Sequence, residues 1–392
     1  MNKRNYTQTL ILFMGALLTV STALTFFCDI AHADSVTKAQ RMHERLTGVP
    51  PSALVRDQMA AFIEANQPMQ AAAIALNSPY FYRVVKNWAK PMTNKDDLVL
   101  VPLNDMVTTI VGMIRDNKPF DQVLYGDILY TANDALVVAG TVDAYAADNN
   151  DHYLDLERLD LQSSITEKVQ SSLNGINDTA GILTSRGYGA AFMDAGTNRA
   201  VIRWALRNFL CKDLEQLSDI TRPDFRVRRD VDRAPGGDSR TFKSQCVGCH
   251  AGMDGLAGST AFFDFTNGQV NESTTVVRKI NALVKFANGF VTTNNSWINL
   301  WNVGQNSSLG WPATSGGNGL RSLGQLLAGS DEFGRCMAKR VFKQVCVRDA
   351  IMDPSKLNTE VSKIQTLANG FKGSGYNMKS LFAATASQCM GD

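Results

Sequence analysis

Two thiols and an imidazole stand together at Cys246-Val247-Gly248-Cys249-His250 in this chain of 392 residues. Thiols at this spacing can each add to one vinyl group of a haem, and a histidine beside the second thiol then lies beneath the iron as an axial ligand. The pattern therefore predicts one haem c, attached covalently through Cys246 and Cys249, with His250 as the metal ligand. A Cys-x-x-Cys disulfide and half of a zinc site are the competing chemistries. Zinc needs a second closely spaced Cys/His pair, whereas Cys336 and Cys346 stand well apart, and the other histidines after residue 33 are His43 and His152. A thioredoxin-like redox site needs a strand before the motif in an α/β pattern. Here Pro235-Gly236-Gly237-Asp238 and a short polar stretch lead into it.

Spacing does not fix a sixth iron ligand. No methionine lies between Asp254 and Cys336, so the motif is not the start of a small self-contained cytochrome with a methionine shortly downstream. Met253 falls three residues after His250, on the same side of a helix, where packing against the haem is expected. Distal candidates are Met193 and Met337, then Met352, Met378, His43 and His152, and each has a plainer role. Met337 shares a helical stripe with Phe333, Val341 and Val345, the pattern of a core residue. His152 ends the polar run Asp148-Asn149-Asn150-Asp151, which predicts an exposed turn, and His43 lies between Arg41 and Glu44 on a charged helix. A five-coordinate haem would instead open the iron to small ligands. Upstream, Arg222, Arg226, Arg228, Arg229, Arg233 and Arg240 alternate with Asp224, Asp230, Asp232 and Asp238. Such a run either supplies guanidinium partners for haem propionates or forms a solvated loop of mixed charge.

The elements that must hold these groups are mainly helical. Met106, Val107, Ile110, Val111 and Ile114 recur at three-four spacing, as do Val201, Trp204, Ala205 and Leu210. The clearest strand-like run is the short Leu98-Val99-Leu100-Val101. The expected fold is mainly α and multi-helical, with two to three packed helical regions and a covalent haem in the central one. Punctuation divides the chain into an N-terminal helical region (34–180), a haem-bearing region (181–290), a Gly/Asn/Trp-rich connection (291–318) and a C-terminal helical region (319–392). A connection of that length is either mobile or packed down by Trp297, Trp301 and Trp311.

Residues 1–33 have the layout of a cleaved secretory signal: basic Lys3 and Arg4, an apolar stretch from Leu10 to Phe27, and the small-residue frame Ala31-His32-Ala33. Cleavage after Ala33 predicts a periplasmic or exported protein with no membrane span thereafter. It removes Lys3, Arg4 and Asp29, taking the net charge from +2 to +1, which gives no basis for nucleic-acid binding. An oxidising compartment makes disulfides plausible among Cys211, Cys336, Cys346 and Cys389. If 331–347 is one helix, Cys336 and Cys346 lie about 15 Å apart along its axis, beyond the roughly 7 Å Cα separation that a bridge spans. Each is then expected to pair with Cys211 or Cys389.

Several stretches also resemble one family. GILTSRGYGAAFMDAGTNRAVIRWALRNFLC at 181–211 and CVGCHAGMDGLAGSTAFFDF at 246–265 are similar to planctomycete-type cytochrome c domain proteins, in which the haem motif is followed by Met-Asp and then by an aromatic and aspartate pair. Those features fall here on Met253-Asp254 and Phe263-Asp264. Arg45-Leu46-Thr47-Gly48-Val49-Pro50-Pro51-Ser52 and the segment 320–349 resemble the N-terminal signature and C-terminal domain of the same group. Gly255 departs from the proline that many members carry after Met-Asp. The resemblance implies haem and export; the biochemical role of the family is undefined.

Electron transfer to or from an unidentified redox partner is the function these features predict first. A haem-dependent redox enzyme, or the electron-entry part of a dehydrogenase or peroxidase-like system, is the alternative, although no Ser/His/Asp or paired-carboxylate constellation marks catalytic residues. An envelope binding protein with a structural haem is the third reading.

Overall fold

Side-chain caps and apolar spacing set most of the helix boundaries. The computed structural model describes residues 34–95, 100–193, 199–223, 239–277 and 293–391. The expected signal, the arginines from Arg226 to Arg233, and Leu98-Val99 lie outside them. Helix α1 (Ser35–Thr47) begins where the Asp34 carboxylate accepts the Thr37 N–H and ends at Gly48 in the left-handed region. Ser52 caps α2 (Ala53–Glu64), and prolines open α3 (Pro68–Leu76) and α4 (Pro79–Ala89), where their missing N–H costs no helical hydrogen bond. Asn104 caps α5 (Asp105–Arg115), the helix expected from the stripe beginning at Met106.

The middle of the chain is cut into shorter pieces, among them α6 (Arg186–Phe192), α7 (Arg199–Ala205) and α8 (Val247–Ala257). The predicted helix through Leu210 changes at Leu206 into a single π-helical turn, Leu206–Leu210. Four longer helices close the described chain: α9 (Gly319–Gly329), α10 (Asp331–Cys346), α11 (Val361–Gly373) and α12 (Met378–Cys389).

The described strands form three antiparallel pairs: β1 (Leu129–Ala132) with β2 (Ile165–Lys168), β3 (Phe263–Thr266) with β4 (Gln269–Glu272), and β5 (Ser296–Ile298) with β6 (Gly316–Asn318). The β3–β4 turn is Asn267-Gly268, both residues with positive φ, the backbone that a two-residue hairpin requires. The strand-like run that ends at Val101 departs from expectation in its described half. Leu100 and Val101 have no strand partner, and Leu100 is exposed.

The two ends of the chain share one hydrophobic core. Helix α12 packs on α1, α3 and α10, and α9 packs on the short turn Phe120–Leu124. Two disulfides lock this arrangement, Cys211–Cys336 and Cys346–Cys389. Because α10 runs unbroken from Asp331 to Cys346, its two cysteines face different partners, as its length requires. The tryptophan-rich connection is packed down: Trp297 and Trp301 are buried, Trp297 Nε1 donates to Gly319 O and Ser322 Oγ, and Trp311 Nε1 donates to Asn306 O. Among the described residues no helix is long and apolar enough to cross a membrane.

Candidate haem site

Glycines on one side of α8 let the rest of the protein press against it, which leaves the other side for the motif's functional groups. Gly248, Gly252 and Gly255 follow one another at spacings of four and three, a single helical face. A Cβ at these positions would lie 2.3 Å from Ser218 Oγ, 2.0 Å from the Trp301 indole and 2.7 Å from Ile298 O, so only hydrogen fits. Asp219 N donates to Gly248 O, tying the 217–219 turn to the same face. A π-helical turn, Phe242–Cys246, feeds the chain into α8. Cys246, at the helix start, and His250, one turn later, lie on the side away from the glycines and are both partly exposed.

Cys246 and Cys249 are free thiols, while the other four described cysteines are bridged. Cys249 Sγ lies 3.4 Å from Leu214 O. Burial pushes its thiol up, against a lowering hydrogen bond with Ser218 and the charge of Arg203. Arg203 is itself held by a bidentate pair with Asp213 at 2.7 and 2.8 Å.

His250 is oriented from behind. Its Nδ1 lies 3.1 Å from Asp254 Oδ2, one helical turn along. Asp254 is fully buried and is gripped by Arg199 of α7, Nε to Oδ1 at 2.5 Å and Nη2 to Oδ2 at 3.2 Å. Burial by itself pushes Asp254 up, but hydrogen bonds from His250 and Arg199, with the guanidinium charge, hold the carboxyl below its usual range. An ionised carboxylate only accepts, so Nδ1 is the donor of this hydrogen bond, and in the neutral ring Nε2 then carries the lone pair.

Compared with known protein families, curated proteins and solved structures, the chain matches none. The site therefore rests on its own chemistry. Two unbonded thiols and one imidazole whose Nε2 meets no hydrogen-bond partner among the described residues form the donor set that covalent haem attachment needs, and the residues present fit that group.

The candidate distal ligands are scattered. Met193 is buried just past α6, which packs on α7, which in turn packs on α8. Met337 is buried on the inner face of α10, a helix that packs against α11, α12 and the Leu206–Leu210 turn. Met378 is buried at the start of α12, and Met352 is half-buried in the loop before α11. His152 is not in an exposed turn, as its polar neighbours suggested, but buried. Its Nε2 accepts from Ala132 N at 2.9 Å and its Nδ1 donates to Asp143 O at 2.6 Å. With both ring nitrogens committed to backbone, and burial pushing its pKa down, it is a neutral structural histidine. His43 is likewise buried, with Nδ1 2.9 Å from Val49 O in the turn after α1.

Of the arginines singled out from the sequence, Arg222 pairs with Asp219, and Arg240 lies in the short helix Ser239–Thr241 before the motif. Among the described residues, Arg199 brings a guanidinium to Asp254 behind His250. No local signal marks it, because its partner lies 55 residues away. Gly248, Gly252 and Gly255 were legible in principle, since glycines at four-three spacing inside a helix imply a close approach by something bulky.

Proposed function

We propose that this protein is an exported c-type cytochrome whose single haem, in the 181–290 region, passes electrons to or from a redox partner protein. The observation that carries the reading is the pair of unbonded thiols, Cys246 and Cys249, on the same helical turn as a histidine whose Nδ1 is already engaged by Asp254. That geometry leaves Nε2 of His250 as the donor for iron. When bound, the haem supplies a one-electron couple whose potential is set by its ligands and surroundings.

This chain's own residues do the rest. Cys246 and Cys249 fasten the macrocycle. Asp254 and Arg199 hold the imidazole, and the Trp301 indole braces the back of α8. The two disulfides support an oxidising compartment, in keeping with the signal-like residues 1–33. Electron transfer requires no acid or base beyond these groups.

The test is expression in a host with haem-maturation machinery, followed by a denaturing haem stain and optical spectra of the oxidised and reduced protein. Covalent haem in the native protein, and none in Cys246→Ala/Cys249→Ala, is the expected result. A reversible reduction with negligible peroxide turnover would fit electron transfer, whereas rapid peroxide turnover would make the protein an enzyme. A native protein purified without covalent haem would overturn the reading.

A further inference from the structure

The buried pair Arg199–Asp254 does more than join two helices. Fully buried charges are costly unless paired and hydrogen-bonded. Here the pairing consumes both carboxylate oxygens of Asp254, and one of them, Oδ2, is also the atom 3.1 Å from His250 Nδ1. Arg199 thus fixes the Asp254 side chain behind the imidazole. The grip is enclosed at both ends. Arg199 and Asp254 are almost wholly buried, and α8 is seated through Gly252 against the buried Trp301.

A ring N–H donated to a carboxylate fixes the tautomer and plane of a ligating histidine and makes its other nitrogen a stronger donor. A stronger donor favours the ferric over the ferrous state. We propose that Asp254 is the positioning residue of His250, and that the Arg199–Asp254–His250 relay holds the haem at a lower reduction potential than His250 alone would give. This rests on the cytochrome reading above. It adds a device outside the five-residue motif, supplied partly by a residue far away in sequence.

The experiment compares the reduction potentials of the native holoprotein, Asp254→Asn and Asp254→Glu, each first shown by denaturing stain to carry covalent haem and by circular dichroism to be folded. Asp254→Asn keeps the shape but replaces the anionic acceptor. Its haem should become easier to reduce by at least tenfold in the equilibrium constant, a rise of about 59 mV or more for one electron, with Asp254→Glu lying closer to the native value. Equal potentials in the native protein and Asp254→Asn would overturn the proposal while leaving the cytochrome reading intact. Absence of haem from the native protein would overturn both.

Should Asp254→Asn fail to fold, nuclear magnetic resonance of the native holoprotein decides the matter. A His250 Nδ1 proton protected from exchange and displaced towards the range of strong hydrogen bonds to carboxylate supports the relay. A rapidly exchanging one overturns it.

Discussion

Gly252 shows how much a single side chain governs at the residue scale. Its missing Cβ is what permits the Trp301 indole to lie against the helix that carries Cys249 and His250. Both neighbours are buried, so a Gly252→Val substitution has nowhere to put its methyls and should cost about 1–3 kcal/mol by overpacking. Urea unfolding would measure the loss, and on the cytochrome reading the denaturing stain should also show reduced haem attachment. His152 teaches the opposite lesson. Its polar neighbours suggested exposure, yet its two nitrogens bridge the 130s and 140s backbone. His152→Ala is expected to leave the buried Ala132 N–H without a partner, at roughly 1–3 kcal/mol, whereas the Asp143 carbonyl, on an exposed residue, can turn to water; on the cytochrome reading the haem spectrum should stay unchanged.

Helix α10 is held at two points at the element scale, Cys336 in its second turn to the turn after α7 and Cys346 at its end to the last residue of α12. Replacing Cys211 and Cys336 by serine should lower stability by about 2–5 kcal/mol, measured by denaturant titration, because the bridge closes a long loop in the unfolded chain. The loop from α10 to α11 depends on Glu360 instead. Hydrogen bonding to Arg348 is the chief reason its carboxyl sits at about 2 rather than 4.5, with the Ile351 N–H and Lys363 adding to it. A depressed carboxyl stabilises the fold fully above its unfolded value, and the contribution disappears as pH falls from 4.5 towards 2. Glu360→Gln should therefore lose about 1 kcal/mol at neutral pH, because Arg348 is substantially exposed and water screens the pair, and show a flatter stability profile across that acid window, as read by thermal unfolding at several pH values.

The first and last thirds of the chain are interleaved across the whole molecule. Helix α12 covers α1 and α3, and the apolar faces of the N-terminal helices belong to the same core as α9 and α10. A fragment of residues 34–180 would expose those faces to water, so its circular dichroism should show little cooperative unfolding. A sharp thermal transition in that fragment would mean that the N-terminal helices form a core of their own.

Local chemistry made some features legible in the chain: the helical class through periodicities such as that from Met106 to Ile114, the thiol–thiol–imidazole triad through its spacing, and the bridging rule for α10 through its length. It did not carry the short strands. Each is only three or four residues long, too brief for an alternating pattern to show, although Asn267-Gly268 marks one of the turns. Tertiary packing chose which of two possible partners each cysteine of α10 took, buried His152, and brought Arg199 behind the motif. The reason is physical: burial and ion pairing depend on which surfaces meet in space, and residues 55 or 125 apart in the chain meet only through packing.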